Sequence, residues 1–598
     1  MGDPIMETLK ASRCSYTFVD DATAVQTFLT NLVNGNEDQF KLVVEKEGSL
    51  FWCGVILADQ VSWQDLPQGV RSVTINAIDG IGRLQDIEFD YTATNQETML
   101  KWIYEILEYN DLSQYWGSGV AYFNESCEIY DTQMTNTGTQ YSPFLMTRCD
   151  RVLFLTDEVS GEKTVTRTHA GGSTSITLPT YRPYTCADIL DAILKLFCCR
   201  MFISNGVYYI QQVRNFAAST YNERSIRKDL AVISYQTVSP RLTDGTDVDR
   251  LARGRWAYLP PLQEVMVNSV PKARMADSGH DIEILEDGSN VNTTTSLGTL
   301  KGGSGSGLSF LIRVTVEYVK ISNLGATVDV EMSFDGNTYF LKSEYNKPDV
   351  IEWTTTGTDT VDRVIDYTDF AGNNGFAYID ILTTEFPGSN ETGCQILMEY
   401  VANSFSSGDS IKIHPLQVFI LKDGKLIVEA QYKVESSASP KTKNSKRVDY
   451  GTLILNDITD GLTSKNVFEV NSTGSTWVFS DVWDAGYTTD VELTKTLCLE
   501  TMSLQDQAVP LLQATLKVPV SMVSGTPHTP MFHQCYYYDS NTWVFNGGTL
   551  DCNSDEFNGE FFQFIQGKSG LSVTSEDGDG FVYKGNEKFG TPKKNTQA

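Results

Sequence analysis

Short runs in which apolar and polar residues alternate fill most of the chain, each closed by Gly, Asn, Asp or Pro. Alternation puts every second side chain on one face of a strand, so it predicts half-buried β-structure. Residues 14–90 read as strands. Phe40-Lys41-Leu42-Val43-Val44 leads through Lys46-Glu47-Gly48 into Leu50-Phe51-Trp52-Cys53, which is a hairpin, and Ser72-Val73-Thr74-Ile75-Asn76-Ala77 has one buried face. The period changes at 98–109, where Leu100, Ile103, Tyr104 and Leu107 fall at helical spacing. Residues 110–184 are Thr-, Tyr- and Gly-rich with weak periodicity and read as irregular β-structure. The strongest helical signal follows. Thr185 can cap it, with Asp188 three residues on, and Ile189, Leu190, Ile193, Leu196 and Phe197 form its apolar stripe. Immediately beyond, Met201-Phe202-Ile203 and Val207-Tyr208-Tyr209-Ile210 flank Asn205-Gly206, a pair suited to a type I′ hairpin turn. Helix and hairpin form one local unit at 185–214.

Residues 215–255 are polar and charged. Pro260-Pro261 bars a central-strand position, so the next strand begins at or after Leu262. The composition then shifts: 277–288 is acidic, and 290–307 is Ser/Thr/Gly-rich, ending in Gly302-Gly303-Ser304-Gly305-Ser306-Gly307, which reads as linker or long loops. From 308 to 418 regular short strands with turn punctuation, including a Gly-centred hairpin at 334–341, predict an inserted β-sandwich. Asp423-Gly424 marks another hairpin, 429–450 reads as a polar, basic loop, and helix returns at 491–507. Strand pairs are predicted at 511–518 and 535–545. The Gly-, Ser-, Lys- and Asp-rich segment from Lys568 reads as a flexible tail.

Composition narrows the function. Of 598 residues, 46 are Lys or Arg and 76 are Asp or Glu, a net charge of −30. That opposes a surface made to grip phosphate backbones or anionic lipid, both of which need clustered cations. Hydrophobic content of 41% and aromatic content of 11% exclude a disordered chain. The 11 cysteines are odd in number and thinly spread, with no CxxC, so neither a disulfide scaffold nor a structural zinc site is signalled. They read as small buried hydrophobes of a reducing compartment. The segment 1–8 has no basic or apolar leader pattern, and no run of about 20 apolar residues occurs, so neither export nor a membrane span is expected.

Candidate chemistry is sparse. His169, His280, His414, His528 and His533 carry no HExxH or HxH pattern and read as surface or satisfied histidines. Asp79-Gly80-Ile81-Gly82 holds a GxG without the third Gly or a following helix, and reads as a turn. Glu576-Asp577-Gly578-Asp579-Gly580 puts Gly where a calcium loop needs ligands. Sequons at Asn124, Asn292, Asn390 and Asn471 carry no weight without export. Tyr339, Phe340 and Trp353 could form a sugar-stacking platform, although sandwich aromatics are more often core. No catalytic constellation assembles and no catalytic, cofactor-binding or metal-binding residue is assigned. The ligand-binding residues are unknown, and no enzyme is expected.

Several segments in this order resemble the tail-tip or baseplate hub proteins of tailed phages, especially those of Bacteroidota phages. They are Phe51-Trp52-Cys53-Gly54-Val55-Ile56; Thr74-Ile75-Asn76-Ala77-Ile78-Asp79-Gly80-Ile81-Gly82-Arg83-Leu84; the helix and hairpin at 186–212; Tyr258-Leu259-Pro260-Pro261; and Gly559-Glu560-Phe561-Phe562. The resemblance covers roughly 14–270 and 430–566. It implies a mainly β protein with a few helices, two tube-like β-barrel domains and accessory modules facing outward. In such hubs three chains supply six barrels, which continue a six-fold tail tube and adapt it to a three-fold tip.

Carried onto this chain, the expected division is a first tube-like barrel at 1–110 and a β-rich domain at 111–254 holding the 185–214 unit. A second barrel is split between 255–279 and 419–490. An inserted carbohydrate-binding-like sandwich occupies 280–418, a closing helix and strands 491–566, and a flexible tail 567–598. The expected function is a structural tail-tip subunit lining a channel for DNA passage, assembled in the host cytoplasm and located in the virion. Expected partners are two further copies, a tail tube or distal tail protein, a tape measure protein and a spike or fibre protein. A host surface glycan is a further expected ligand, and no specific nucleic-acid binding and no cofactor are expected. The alternatives are a glycan-binding adhesion protein acting through 280–418 and a tail-associated envelope hydrolase. The −30 charge leads to one more expectation, an acidic lumen that repels DNA phosphates.

Overall fold

The computed structural model describes residues 5–269 apart from 36–38, 47, 92–95, 139, 170–171, 240 and 252–253. It describes backbone strands alone between 282 and 435. It then describes 446–565 apart from 456–461, 464–467, 473–475, 481–482, 485–491, 518–533 and 555, and the strands Val573–Ser575 and Phe581–Tyr583. The fold is mainly β with five helices among these residues.

Four strands of the first sheet run in the order β1 (Arg13–Asp21), β5 (Val70–Ile78), β3 (Ser49–Ile56), β2 (Lys41–Lys46), and β4 (Ser62–Leu66) also pairs with β5. All of these pairings are antiparallel. The hairpin of β2 and β3 turns where the sequence places it, with Gly48 at φ 77°. One part of the expected all-strand region is instead helix. α1 (Ala22–Asn34) starts at Asp21, whose carboxylate accepts from the backbone N–H of Thr23 at 2.8 Å and Ala24 at 3.4 Å. Its Val25, Leu29 and Leu32 are buried at helical spacing, a period that outweighs the Thr and Val residues between them.

α2 (Met99–Glu108) carries Thr98 as its cap and buries Met99, Leu100, Trp102, Ile103, Ile106 and Leu107. In the region read as irregular β-structure lie a short helix α3 (Pro143–Met146) and a long antiparallel hairpin, Leu155–His169 with Gly172–Pro183. Thr-rich strands with a weak apolar period give such a hairpin little local signal. α4 (Cys186–Leu196) is capped by Thr185 Oγ1, which accepts from Asp188 N–H at 3.2 Å. The following hairpin turns at Asn205 (φ 48°) and Gly206 (φ 68°), the two positive φ values of a type I′ turn.

That hairpin opens the middle sheet, ordered Cys199–Ser204, Val207–Gln212, Phe123–Glu125, Tyr221–Ile226, Val232–Val238. Its tip docks on the first sheet. Gly206 N–H donates to Phe51 O at 2.7 Å, and a Cβ at Gly206 would lie 2.2 Å from Leu50 O, so no other residue fits without a shift. Helices α2, α4 and α5 (Leu493–Gln505) and the first and middle sheets share one apolar core.

A second, smaller core lies within the C-terminal sheet, around Leu512, Leu516, Tyr536, Trp543, Phe545 and Phe561. Its order is Arg241–Thr243, Cys535–Tyr538, Asn541–Asp551, Glu556–Gln563, Val509–Lys517, and Asp249–Arg250 and Arg255–Leu259 both pair with the last of these. The strand pairing divides the expected second barrel. Arg255–Leu259 joins this sheet, whereas Leu262–Ser269 pairs with Lys425–Glu435 and Lys446–Leu453 in another. The intervening Pro260-Pro261, lacking N–H donors, lets the chain change sheets.

Between 282 and 422 the backbone strands fall into two sheets. One runs Lys347–Thr354, Asn337–Glu344, Ala326–Phe334, Cys394–Ala402, Val291–Gly302. The other places Leu308–Val319 between Ser410–Ile413 and Gln417–Lys422, then continues into Lys425–Glu435. Of the stretch read as a 429–450 loop, 429–435 and 446–450 are strand. The expected flexible tail contributes Val573–Ser575 and Phe581–Tyr583, both paired with Lys425–Glu435. Their β-branched and aromatic residues complete a sheet that the polar residues around them conceal in the sequence.

Candidate assembly surface

The sequence motifs that could have carried chemistry do not converge. The side chains of all five histidines, of Tyr339, Phe340 and Trp353, and of 576–580 lie outside the described residues, as do those of Asn292 and Asn390. Asn124 and Asn471 are buried in strands. Among the described residues no group of three or more His, Cys, Asp or Glu could hold a metal ion. Burial pushes the thiols of Cys53, Cys186, Cys498 and Cys535 up to about 12, which leaves them in the protonated, unreactive form.

Asp79-Gly80-Ile81-Gly82 is a turn, as its sequence indicates. Asp79 is fully buried. Its Oδ2 accepts from Ser12 N–H at 2.7 Å and Ser12 Oγ at 2.6 Å, and its Oδ1 from Ile81 N–H at 3.1 Å and Gly82 N–H at 3.0 Å. Burial raises its pKa to about 6, and these four donors hold it from rising further. The carboxylate thereby pins the start of β1 to the end of β5.

The middle sheet is organised round a buried ionic cluster that sequence reading did not find. Arg224 and Glu125 are partners on neighbouring strands and both are fully buried. Arg224 Nη1 also reaches Glu128 Oε1 and Tyr130 Oη, each at 3.2 Å, and Nη2 donates to Cys127 O. Burial alone would weaken the guanidinium's hold on its proton, but Glu125 beside it reverses the sign and raises the pKa. Arg224 and Glu125 are closed to solvent and Glu128 is partly exposed, so the cluster serves as internal support for the sheet.

The outer surfaces have a different character. Most residues of β1, β4, Val232–Val238 and Arg255–Leu259 are exposed, on both faces of the strand. In the first sheet the register sets Phe18, Val73 and Trp63 in one row, on the face that α1 covers, where Phe18 meets Phe28 edge to face at 5.9 Å. Tyr16 and Trp63 lie at the margin of that face, each 54% exposed. The opposite face presents Ser15, Thr17, Ser62, Gln64, Ser72, Thr74 and Asn76, with Thr17 and Thr74 hydroxyls hydrogen-bonded at 2.8 Å. Arg13, Val19 and Asp21 of β1 fall on this face as well and are exposed, so it is mainly hydroxyl and amide with one cation and one anion at the two ends of the strand. In the C-terminal sheet Trp256 leans on Trp543 at 5.2 Å yet remains 53% exposed, and Tyr258 is 68% exposed.

No family model and no curated protein matches the chain. Among solved structures, the infectious bursal disease virus VP2 subviral particle is 13% identical over 29% of this chain and 33% of that one, with a TM-score of 0.12. The structure of the Gx strain of the same virus is 11% identical over 72% of each chain, with a TM-score of 0.13. Dimeric latent PorU from Porphyromonas gingivalis is 10% identical over 33% of this chain and 17% of that one, with a TM-score of 0.11. The chain thus spans a third or less of the VP2 subviral-particle and PorU chains. Overlaps this loose transfer neither a fold nor a function.

Proposed function

We propose that the chain is a structural subunit of a phage tail tip, a trimeric hub that continues the tail tube, adapts it to a three-fold tip and lines the channel for DNA. The observation that carries this reading is the first sheet. It exposes an aromatic margin at Tyr16 and Trp63, and on its opposite face a mainly hydroxyl and amide surface. Large aromatics at the rim of a sheet are the residues interfaces favour. Beyond β5, β1 pairs with no further strand among the described residues, and such an edge is a site where another chain can join.

The ordered hub-like segments at 51–56, 74–84, 186–212, 258–261 and 559–562 support the same reading. On it, the hydroxyl and amide face of the first sheet lines the channel in place of the acidic lumen expected from the net charge. With Arg13 and Asp21 offsetting one another at the ends of β1, it offers DNA phosphates no cluster of cations to bind and no strong field to resist. The reading assigns the chain no catalysis. Its partners are two further copies, the tail tube or distal tail protein, the tape measure protein and a spike or fibre protein. Cryo-electron microscopy of virions tests it. A three-fold ring at the tail tip, with Ser15, Thr17 and Thr74 facing the lumen, supports the reading, and absence of the chain from virions overturns it.

A further inference from the structure

Eight of the ten described cysteines are buried. The other two are Cys14, half-buried on β1, and Cys552, exposed in the turn between Asn541–Asp551 and Glu556–Gln563. They stand at opposite ends of the chain, yet the fold brings their surroundings together. Lys10 pairs with Met201 through its backbone, and neighbouring Arg200 donates to Phe545 O at 2.9 Å. Lys10 Nζ itself donates to Asn546 Oδ1 at 3.3 Å. The segment entering β1 therefore crosses the Asn541–Asp551 strand near Asn546. Four residues further along one segment is Cys14 and six along the other is Cys552, roughly 13 and 20 Å of extended chain. Burial, with the charge of the Cys552 thiolate as second cause, raises the Cys14 pKa.

We propose that Cys14 and Cys552 form a disulfide that staples the first sheet to the C-terminal sheet when the protein meets an oxidising low-molecular-weight disulfide. Exposed Cys552 reacts first. Its thiolate attacks one sulfur of glutathione disulfide, the S–S bond breaks and glutathione thiolate leaves. The Cys14 thiolate then attacks the Cys552 sulfur of that mixed disulfide and releases the second glutathione. Two protein thiols are oxidised, one glutathione disulfide is reduced to two thiols, and the two protons lost by the protein balance those the glutathiones take up. β1 is fixed by nine register pairs, so the exposed turn makes the adjustment that disulfide geometry requires. The inference rests on chain geometry and is independent of the tail-hub reading.

The test uses the full-length protein across a series of glutathione to glutathione-disulfide ratios, followed by acid quench, alkylation, digestion and mass spectrometry. The expected result is a linked peptide joining Cys14 and Cys552 and a faster non-reducing gel band, both growing with the disulfide fraction. Both should vanish in Cys14→Ser and in Cys552→Ser. Cys552→Ser replaces an exposed turn residue, so the fold should survive it. The melting temperature should rise on oxidation in the wild type and not in Cys552→Ser. The proposal is overturned if Cys14 and Cys552 remain separately alkylated or glutathionylated at every ratio, or if Cys552 links to another copy or another cysteine.

Discussion

Arg224 and Glu125 face one another across neighbouring strands of the middle sheet and share two hydrogen bonds, Nε to Oε2 at 2.8 Å and Nη2 to Oε1 at 3.1 Å. Neither side chain reaches water. A buried pair of this kind is costly to break because the survivor stays charged and unpartnered. Glu125→Gln and Arg224→Met should each destabilise the protein by roughly 3–5 kcal/mol. Replacing both with apolar residues should recover most of that loss. Thermal or urea unfolding of the two single variants and the double variant measures the coupling, and additive losses would show that the pair does not act as a unit.

Asp79 sets a pH dependence of unusual sign for a carboxylate. Its folded pKa of about 6 lies above the ordinary 3.8, so between these values the folded state holds the proton more tightly. The contribution of Asp79 to stability is fully present below about pH 4 and is lost as pH rises through 6, a change of about 3 kcal/mol. Unfolding measured from pH 4 to pH 7 should show this component, and Asp79→Asn should remove it. An unchanged slope in the variant would assign the dependence elsewhere.

Gly206 should be far less replaceable than Gly69, although both have positive φ, 68° and 75°. Nothing lies within 4 Å of a Cβ at Gly69, so Gly69→Ala meets only the backbone preference, about 1–2 kcal/mol. At Gly206 the added Cβ meets Leu50 O at 2.2 Å and Leu50 C at 2.8 Å, and the hairpin must lift from the first sheet. Gly206→Ala should cost at least ~1 kcal/mol more than Gly69→Ala. Equal melting temperatures would mean the hairpin does not seat on Phe51.

Tyr16 and Trp63 are exposed enough that their loss should leave the folded chain intact. Tyr16→Ser with Trp63→Ser should shift the melting temperature of the separated chain little, because exposed positions contribute little to stability. Self-association should weaken at least tenfold in dissociation constant, the cost of removing aromatic anchors from an interface. Sedimentation across a concentration series reads both species.

The elements that the sequence revealed share one property: their signal is local. Thr185 with Asp188, Asn205 with Gly206, and the apolar stripe from Leu100 to Leu107 each fix an element from neighbouring residues alone. α1 was hidden because Asp21 and the Val25, Leu29 and Leu32 spacing sit within a Thr- and Val-rich context that favours strand. The buried Arg224 cluster was hidden for another reason. Glu125 and Arg224 are 99 residues apart, and only strand pairing brings them together. Sheet membership was also beyond local reading, since Arg255–Leu259 and Leu262–Ser269, separated by two prolines, join different sheets. The candidate surface was legible only in outline. Its strands could be read from alternation, but which of their two faces meets solvent depends on α1 and on the register.

As the proposed tail-tip hub, this chain works as one of three identical subunits. Mass measurement of the purified protein by analytical ultracentrifugation tests it most directly. A species at three times the 66.5 kDa chain mass is expected, reduced to single chains by Tyr16→Ser with Trp63→Ser. A strict monomer at every concentration, in wild type and variant alike, would contradict it.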